Sequence, residues 1–455
     1  MQMMEGNTRT TPKEESLPRS CLGRLLAPIA DVRPGEETGA LLMALLMFLI
    51  LASYYMLKTV REVFILTDGG AEVKSYSSAG QALLLLILVP AYGTFASRVN
   101  RMRLVRWVTL FFASHLVLFY AAVKSGLHIG IAYFLWVGIF NLMVIAQFWA
   151  FANDIYTQDQ GKRLFPLIGI GSSLGAWVGS VRAGHVVSTV GPLRLLLGAG
   201  VVLVVCALLA GIVNRLMVRS GPNEVATSGD KPLGREGGFK LIFKDRYLLL
   251  IAILTVLLNV VNTSGEYLFS RYVVEVAHRI HGAGADALAA REQFIGTTYS
   301  RLYSTVNLIG FLLQMFVVSR LFKSLGVGRS LYVHPMVALV GYMTMLTTPS
   351  MLAMSWLKVT DNSIDYSLGN TTKQALWLPT SREAKYKAKQ AVDCFFVRAG
   401  DVLQAGVVFV GERLAFGVPA FAALNVVLAG TWLSVVGMLN RTLMRKAKAA
   451  NTAQL

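Results

Sequence analysis

The stretch from Lys358 to Asp401 reads KVTDNSIDYSLGNTTKQALWLPTSREAKYKAKQAVDCFFVRAGD and joins two segments that are apolar enough to cross a bilayer. Both segments carry charges, namely Lys358, Asp361 and Asp365 in the first and Arg398 and Asp401 in the second. Ionisable side chains inside a membrane cost about 3 kcal/mol on insertion scales, so they usually face a bundle interior or a water-filled path. This stretch is therefore the first candidate for a functional site.

The composition is that of a polytopic membrane protein. Of 455 residues, 55% are hydrophobic and 15% are charged, and the mean hydropathy is +0.55. The formal net charge of +18 does not require nucleic acid as a partner, because Lys and Arg also collect on one face of a bilayer by the positive-inside rule. The three cysteines and six histidines have no metal-ligand spacing, so neither a metal site nor a cofactor is predicted.

Twelve runs of the sequence are long and apolar enough to form membrane-spanning helices, for which about 20 residues are needed. They fall at 38–57, 78–97, 104–123, 128–151, 164–189, 193–216, 246–270, 294–319, 327–347, 350–368, 393–415 and 417–440. The predicted fold class is an all-α membrane protein with twelve transmembrane helices.

A polar linker rich in glycine and charge, residues 219–245, separates the sixth run from the seventh. It divides the chain into two six-helix halves, residues 38–218 and 246–440, flanked by tails at 1–37 and 441–455. Six plus six helices resemble the plan of the major facilitator superfamily, whose halves rock about a site near the bilayer midplane.

The distribution of Lys and Arg predicts the orientation. If the N-terminus is cytoplasmic, roughly 30 of the 43 basic residues lie in the tails and cytoplasmic connections. Both tails and the linker are therefore expected on the cytoplasmic side of the membrane.

The end of the first run, SYYMLKTVREVFIL, carries a group of charges. Lys58, Arg61 and Glu62 are three and four residues apart, which places them on one helical face. A single cation at this position is typical of snorkelling to the membrane interface. Three charges on one face favour a binding site, because two cations suit a polyanionic substrate and the carboxylate can hold them when the site is empty.

A glycine repeat marks the segment FPLIGIGSSLGAWVGS. Gly171, Gly175 and Gly179 recur at every fourth residue, a pattern that lets a neighbouring helix approach closely. The GIGSSLG sequence is not interpreted as a phosphate-binding loop, because no strand precedes it and no GK[ST] follows.

The seventh run contains LNVVNTSGEYLFSRYVVE, in which Asn259, Asn262 and Glu266 recur at helical spacing. One stripe of an otherwise apolar helix is therefore polar and is expected to face the cavity between the halves. In the next run Arg301 needs an interior partner, for which Glu266 is the candidate.

Other charges are expected to form pairs. Asp154, near the inner membrane boundary, either caps a turn or pairs with Lys162 or Arg163. Arg398 and Asp401 are three residues apart and are interpreted as an internal pair.

Lys358, Asp361 and Asp365 share one helical face and either compensate one another or bind substrate. After Pro379 a basic helix bears Lys385 and Lys389 on one side. The alternative for that helix is contact with anionic lipid headgroups.

Three stretches of the sequence resemble the ATP:ADP antiporter family, the nucleotide transporters of plastids and obligate intracellular bacteria, which have the major facilitator architecture. They are LKTVRE at 57–62, FWAFANDIYTQDQGKRLFPLIGIGSSLG at 148–175 and DNSIDYSLGNTTKQALWLPTSREAKYKAKQAVD at 361–393. The first is similar to the family's LRDTKD segment.

The resemblance implies roles for individual residues. The family's basic residues in helix 1 correspond to Lys58 and Arg61, with Arg and Lys exchanged, and its helix 7 glutamate corresponds to Glu266. Its lysine after helix 10 falls in the group of Lys385, Lys387 and Lys389.

The predicted function is secondary transport of a nucleotide (ATP or ADP) or another phosphorylated anion by alternating access, without enzymatic activity. The alternatives are a non-transporting membrane scaffold that binds anionic lipid or a partner protein, and a lipid translocase. The resemblance suggests a bacterial inner membrane. The candidate substrate-binding residues are Lys58, Arg61, Asn259, Asn262, Glu266, Lys358, Asp361, Asp365, Lys385, Lys387 and Lys389, and the candidate charge-pair residues are Glu62, Asp154, Arg301, Arg398 and Asp401.

Overall fold

The computed structural model describes most of the chain as helices joined by short turns. The described residues are 30–96, 101–218, 237–348, 350–381 and 383–452, and no strand occurs among them. Most of the predicted N-terminal tail (1–29), most of the predicted linker (219–236) and the last three residues lie outside these ranges.

The N-terminal helices, α1 to α6, precede the linker. They are α1 (Glu37–Asp68), α2 (Gly70–Ala96), α3 (Arg101–Lys124), α4 (Gly130–Ile155), α5 (Gln158–Val190) and α6 (Leu193–Val218). The chain reverses between α1 and α2 at Gly69 and Gly70, and the φ of +72° at Gly70 is one that glycine adopts without strain. Thr157 starts α5, because its side chain accepts the N–H of Gln160 while the Gln160 side chain accepts the N–H of Thr157.

The remaining, C-terminal helices are α7, which lies at the end of the predicted linker, and α8 to α16, which follow it. They are α7 (Gly238–Lys244), α8 (Arg246–His281), α9 (Leu288–Leu312), α10 (Val318–Ser330), α11 (Val333–Thr347), α12 (Met351–Ile364), α13 (Asn370–Ala375), α14 (Lys389–Ala391), α15 (Val397–Arg413) and α16 (Val418–Thr452). Four π-helical turns interrupt them, at Leu313–Val317, Asp365–Gly369, Ala384–Ala388 and Val392–Phe396. Three of these turns lie between Lys358 and Asp401, and π turns are frequent at functional sites.

Ten helices within the described residues are long and apolar enough to cross a membrane. They overlap ten of the twelve predicted runs; at the ninth and tenth runs, α11 and α12 have only 15 and 14 residues. The protein is an all-helical, multi-pass integral membrane protein.

The first two helices differ from their predicted bounds. α1 continues to Asp68 and α2 begins at Gly70, whereas the apolar runs end at 57 and begin at 78. Arg61, Glu62 and Lys74 of this polar segment are paired inside the bundle, so the first charge does not mark the end of the helix.

The glycine repeat of α5 packs directly on α1, as predicted. A methyl group on Gly171, Gly175 or Gly179 would lie 2.2 to 2.4 Å from a carbonyl oxygen of α1. Only glycine allows two helix backbones to approach this closely. The repeat thus serves helix packing. It holds α5 against the helix that carries Lys58, Arg61 and Glu62.

Polar contacts join the N-terminal helices to the C-terminal helices. Ser300 Oγ of α9 donates to the Ser180 carbonyl oxygen of α5 at 2.6 Å, and Gln404 Nε2 of α15 donates to Ser75 Oγ of α2 at 3.2 Å. Gly296 of α9 lies against Val63 of α1. These contacts join α9 to α5 and α1 and join α15 to α2.

Candidate functional site

Lys74, in the second turn of α2, is the centre of a buried ion-pair network between the two groups of helices. Its Nζ lies 2.6 Å from Glu62 Oε2 of α1 and 2.7 Å from Glu266 Oε1 of α8. It also donates to Ser270 Oγ at 2.9 Å and to Tyr299 Oη at 3.2 Å. Lys74 is only 6% exposed, and a cation so buried needs this compensation.

Glu62 holds a second cation from its own helix. Arg61 Nη2 lies 2.5 Å from Glu62 Oε1, and the hydroxyl of Tyr303 donates to the same oxygen at 3.1 Å. The guanidinium group also stacks over the Phe134 ring, 4.6 Å from its centroid. A single fully buried carboxylate thus pairs with Arg61 and Lys74.

Lys58 is held by aromatic rings. Its Nζ lies 4.1 Å from the Tyr303 ring centroid and 5.3 Å from that of Tyr55, which are cation–π distances. No carboxylate among the described residues forms an ion pair with Lys58. Its charge is therefore less neutralised than those of Arg61 and Lys74.

Lys358 of α12 extends the network into the C-terminal helices. It is completely buried, and its Nζ lies 3.6 Å from Asp361 Oδ2 and 3.8 Å from Glu266 Oε2. It also donates to Asn262 Oδ1 at 3.0 Å. Glu266 consequently lies between Lys74 and Lys358.

The two aspartates of this face have different partners. Asp361 Oδ1 lies 3.0 Å from His334 Nε2 of α11. Asp365 Oδ1 lies 3.5 Å from Lys373 Nζ, and its other oxygen accepts from Asn262 at 3.4 Å. The predicted compensation within this stretch is therefore present between Lys358 and Asp361.

The polar stripe of α8 divides between two environments. Asn259 donates to Asp401 Oδ1 at 2.8 Å and to the Val397 carbonyl oxygen at 2.7 Å, so it contacts α15 and not the ion-pair network. It lies seven residues before Glu266, about 10 Å along the helix. The Arg398–Asp401 pair is confirmed, with 3.2 Å between Nη1 and Oδ2.

The predicted pairing of Arg301 with Glu266 is wrong. Arg301 lines a groove of about 390 Å³ together with Thr298 and Met351, whereas Glu266 pairs with lysines. The cause is helical geometry. The tyrosines at 299 and 303 face the network, and a residue two positions away on an α-helix points about 200° around the axis.

The basic residues after Pro379 lie apart from the network and beside α7, where Gly238 contacts the backbone of Lys387. Lys387 Nζ lies 3.0 Å from Glu383 Oε1, and Lys389 Nζ donates to Gln374 Oε1 at 2.6 Å. Lys385 is exposed. This group of lysines is therefore a separate basic patch, and its lysines do not contact the carboxylates of the network.

Asp154 is on the exposed face of the last turn of α4. Arg163, one of its two predicted partners, pairs with Glu36 Oε2 at 2.9 Å and with Asp159 Oδ2 at 3.2 Å. The side chain of Lys162, the other predicted partner, lies outside the described part, so pairing between Lys162 and Asp154 stays a prediction.

Sequence reasoning missed Lys74, Ser270, Tyr299 and His334. Lys74 lies between the predicted first and second runs, in what would be a connection outside the membrane. The Gly69–Gly70 pair was the available signal, because it marks a turn and leaves Lys74 inside a helix. His334 had no neighbouring ligand in the sequence that would have marked it.

Solved membrane transporters share this fold. A bacterial homologue of the human lysosomal transporter Spinster, inward-facing and unoccupied, superimposes with a TM-score of 0.60 at 13% identity over 91% of this chain and 99% of that chain. A POT peptide transporter in complex with sulfate gives a TM-score of 0.62 at 13% identity over 92% and 98% of the two chains. The fold is that of the major facilitator transporters.

The family described as TLC ATP/ADP transporter matches residues 131–443, and the chain belongs to this family. It is 24% identical over 360 residues to ADP,ATP carrier protein 1 of Chlamydia muridarum, and this alignment covers 69% of this chain and 65% of the relative. It is 21% identical over 470 residues to ADP,ATP carrier protein 1 of Rickettsia bellii, and this alignment covers 89% of this chain and 93% of the relative. The match thus spans about two thirds of the chlamydial carrier's length and most of the rickettsial one's.

Proposed function

We propose that this protein is a secondary transporter that exchanges nucleotides, or other phosphorylated anions, across a membrane by alternating access. The observation that carries the proposal is the buried network in which Glu62 and Glu266 hold cations between the two groups of helices. Family membership supports the nucleotide as substrate.

The network suits a polyanion because its cations are already in position. Lys58, Arg61, Lys74 and Lys358 bring four positive charges close to three carboxylates, the buried Glu62 and Asp361 and the one-quarter exposed Glu266. Phosphate oxygens would replace carboxylate oxygens as partners of these cations. Arg61 can bind two oxygens at once through its planar guanidinium group, and Lys58 offers the charge that no carboxylate holds.

Exchange of partners would also allow the helices to move. Lys74 links α1 and α2 to α8 through the carboxylates of Glu62 and Glu266. Separating those helices without substrate would leave buried charges unpaired, which typically costs about 3–5 kcal/mol. Bound phosphate would lower that cost, so transport would occur as counter-exchange.

The proposed architecture has twelve spans in two halves, with α11 and α12 as the ninth and tenth spans. Residues 38–218 and 246–440 would form the halves, and both termini would lie in the cytoplasm of a bacterium whose inner membrane holds the protein. The patch of Lys385, Lys387 and Lys389 would then attract anions on the cytoplasmic side. Single cysteines at Gly237 and Gly284, tested with a membrane-impermeant reagent in intact cells, should label only at Gly284.

Counterflow in proteoliposomes tests the function. Vesicles loaded with unlabelled ADP should accumulate labelled ATP from outside, and protein-free vesicles should not. Neither a scaffold nor a lipid translocase would give counterflow. Arg279→Gln is the matched control, because Arg279 pairs with Glu275 in the exposed end of α8 and should leave the rate unchanged. Absence of counterflow with ATP, ADP and inorganic phosphate would contradict the proposal.

A further inference from the structure

His334 has one ring nitrogen paired and the other unpaired inside the C-terminal helices. The residue is 4% exposed, and Nε2 lies 3.0 Å from Asp361 Oδ1. Nδ1 is buried and has no hydrogen-bond partner among the described residues. Since a carboxylate accepts hydrogen bonds, Nε2 carries a hydrogen, and in the neutral imidazole Nδ1 then has the free lone pair.

A small cavity adjoins this free nitrogen. It has a volume of about 20 Å³ and is lined in part by His334, Ser330, Thr372 and Lys373. Gly369 lines it as well, and a methyl group there would lie 3.2 Å from Nδ1. A cavity of this size holds one water molecule, and Lys373 is one-third exposed. Nδ1 therefore lies beside a site through which a proton can arrive.

The other ring nitrogen of His334, Nε2, is connected to the proposed substrate site through Asp361. Asp361 shares its two oxygens between His334 at 3.0 Å and Lys358 at 3.6 Å, and Lys358 is 3.8 Å from Glu266. A second cation beside Asp361 would weaken its attraction for Lys358, because one carboxylate would then compensate two charges. Lys358 would become available to an anion.

The charged groups around His334 come from α12 and from the segment that follows it. α12 provides Asp361 and Lys358, and the π turn with α13 provides Asp365 and Lys373. The residues of the neighbouring helices α8 and α16 that contact this site are apolar or aromatic, namely Leu254, Leu258 and Trp432. Asp361 is the carboxylate in contact with the ring.

We propose that His334 is a proton-binding site coupled to anion binding, so that this transporter can carry a proton together with its phosphorylated substrate. The proton adds to the Nδ1 lone pair, the resulting imidazolium pairs with Asp361, and Lys358 turns from Asp361 to the anion. When the anion leaves, Lys358 returns to Asp361 and the proton leaves from Nδ1. This inference rests on the proposed function.

Proteoliposomes containing a trapped pH dye test the coupling. In the wild-type protein, a proton gradient that is acidic on the side of nucleotide addition should raise ATP uptake several-fold, and uptake should acidify the lumen. His334→Gln should lose both gradient effects, because glutamine cannot bind the proton, and it should exchange ATP for ADP more slowly at equal pH, because Lys358 then stays paired with Asp361. His185→Gln, which alters an exposed histidine of α5, should behave as the wild type. Gradient-stimulated uptake that persists in His334→Gln would overturn the inference.

Nuclear magnetic resonance of the wild-type protein provides a measurement that does not depend on transport or on the folding of a variant. With ¹⁵N-labelled histidine in nanodiscs at constant pH, adding ATP should move the His334 Nδ1 shift from that of a lone-pair nitrogen toward that of an N–H nitrogen, since linkage is reciprocal. An Nδ1 shift that ATP leaves unchanged would overturn the proton site. Failure of all counterflow with a normal response of Nδ1 to ATP would instead contradict the proposed function.

Discussion

Lys74 and Glu266 form a partly buried ion pair with 2.7 Å between Nζ and Oε1, although 192 residues separate them in the chain. The pair joins α2 to α8, and Glu62 on α1 completes it with a second carboxylate at 2.6 Å. Lys74 thus connects α1 and α2 of the N-terminal helices to α8 of the C-terminal helices.

Glu266→Gln should slow ATP/ADP exchange by more than tenfold without preventing membrane insertion. The change removes the carboxylate charge between Lys74 and Lys358, and truncating one partner of a buried charge pair typically costs about 2–5 kcal/mol. Initial exchange rates in proteoliposomes measure the effect. Glu275→Gln, at an exposed position of the same helix, is the control. An unchanged rate in Glu266→Gln would reduce Glu266 to a structural role.

Lys74→Met should destabilise the protein more than the double variant Lys74→Met/Glu266→Gln does. The single change leaves two carboxylates facing each other without their shared cation, and the second change removes one of them. A double-mutant cycle on the free energy of unfolding should give a coupling of about 0.5–3 kcal/mol. Additive effects of the two changes would mean that the pair contributes no specific stabilisation.

Arg61 should bind phosphate as a two-point donor. Arg61→Ala is expected to weaken ATP binding well over tenfold, because a desolvated charge contact is lost. Arg61→Lys should also lose affinity, since an ammonium group cannot replace the planar guanidinium group. Titration of ATP onto the purified protein measures both effects. Full affinity in both variants would show that Arg61 serves only to neutralise Glu62.

Gly175→Ala should destabilise the packing of α5 on α1. The new methyl carbon would lie 2.2 Å from the Phe48 carbonyl oxygen, and helix backbone cannot relax as a side chain can. The expected cost is about 1–3 kcal/mol or more, seen as a lower melting temperature. Gly169→Ala is the control in the same helix, because a methyl group there meets nothing within 4 Å. Equal melting temperatures in the two variants would contradict the predicted close contact.

Arg163→Ala should destabilise the protein near neutral pH and have less effect in acid. Burial raises the pKa of Glu36, but hydrogen bonds from Arg163, the Arg33 N–H and Gln160 outweigh burial and lower that pKa. A lowered pKa contributes stability that is present above the ordinary carboxyl range and is lost as the pH falls through the lowered value. The loss in Arg163→Ala should be about 1–2 kcal/mol at pH 7.

Melting temperatures of wild type and Arg163→Ala between pH 7 and pH 3 check this dependence. The difference between the two proteins should shrink on acidification. Arg279→Ala removes an exposed pair in α8 and should cost less than about 0.5 kcal/mol. A difference that stays constant down to pH 3 would exclude ionised Glu36 as its source.

The sequence by itself determined the features that depend on local pattern. Hydrophobic runs identified the helices because a membrane span requires a minimum apolar length. The spacing of Gly171, Gly175 and Gly179 predicted a close helix contact, and the spacing of Arg398 and Asp401 predicted their pair. Each of these features follows from periodicity within one helix, which the order of residues specifies directly.

Only the tertiary structure decided which charges meet. It brought Lys74 to Glu266 and His334 to Asp361, turned Asn259 toward Asp401 and placed Arg301 in an outward groove. These outcomes depend on the rotation and register of helices distant in the chain. Buried charges need partners wherever packing places them. The order of residues within one helix does not specify which face of a second helix will pack against it.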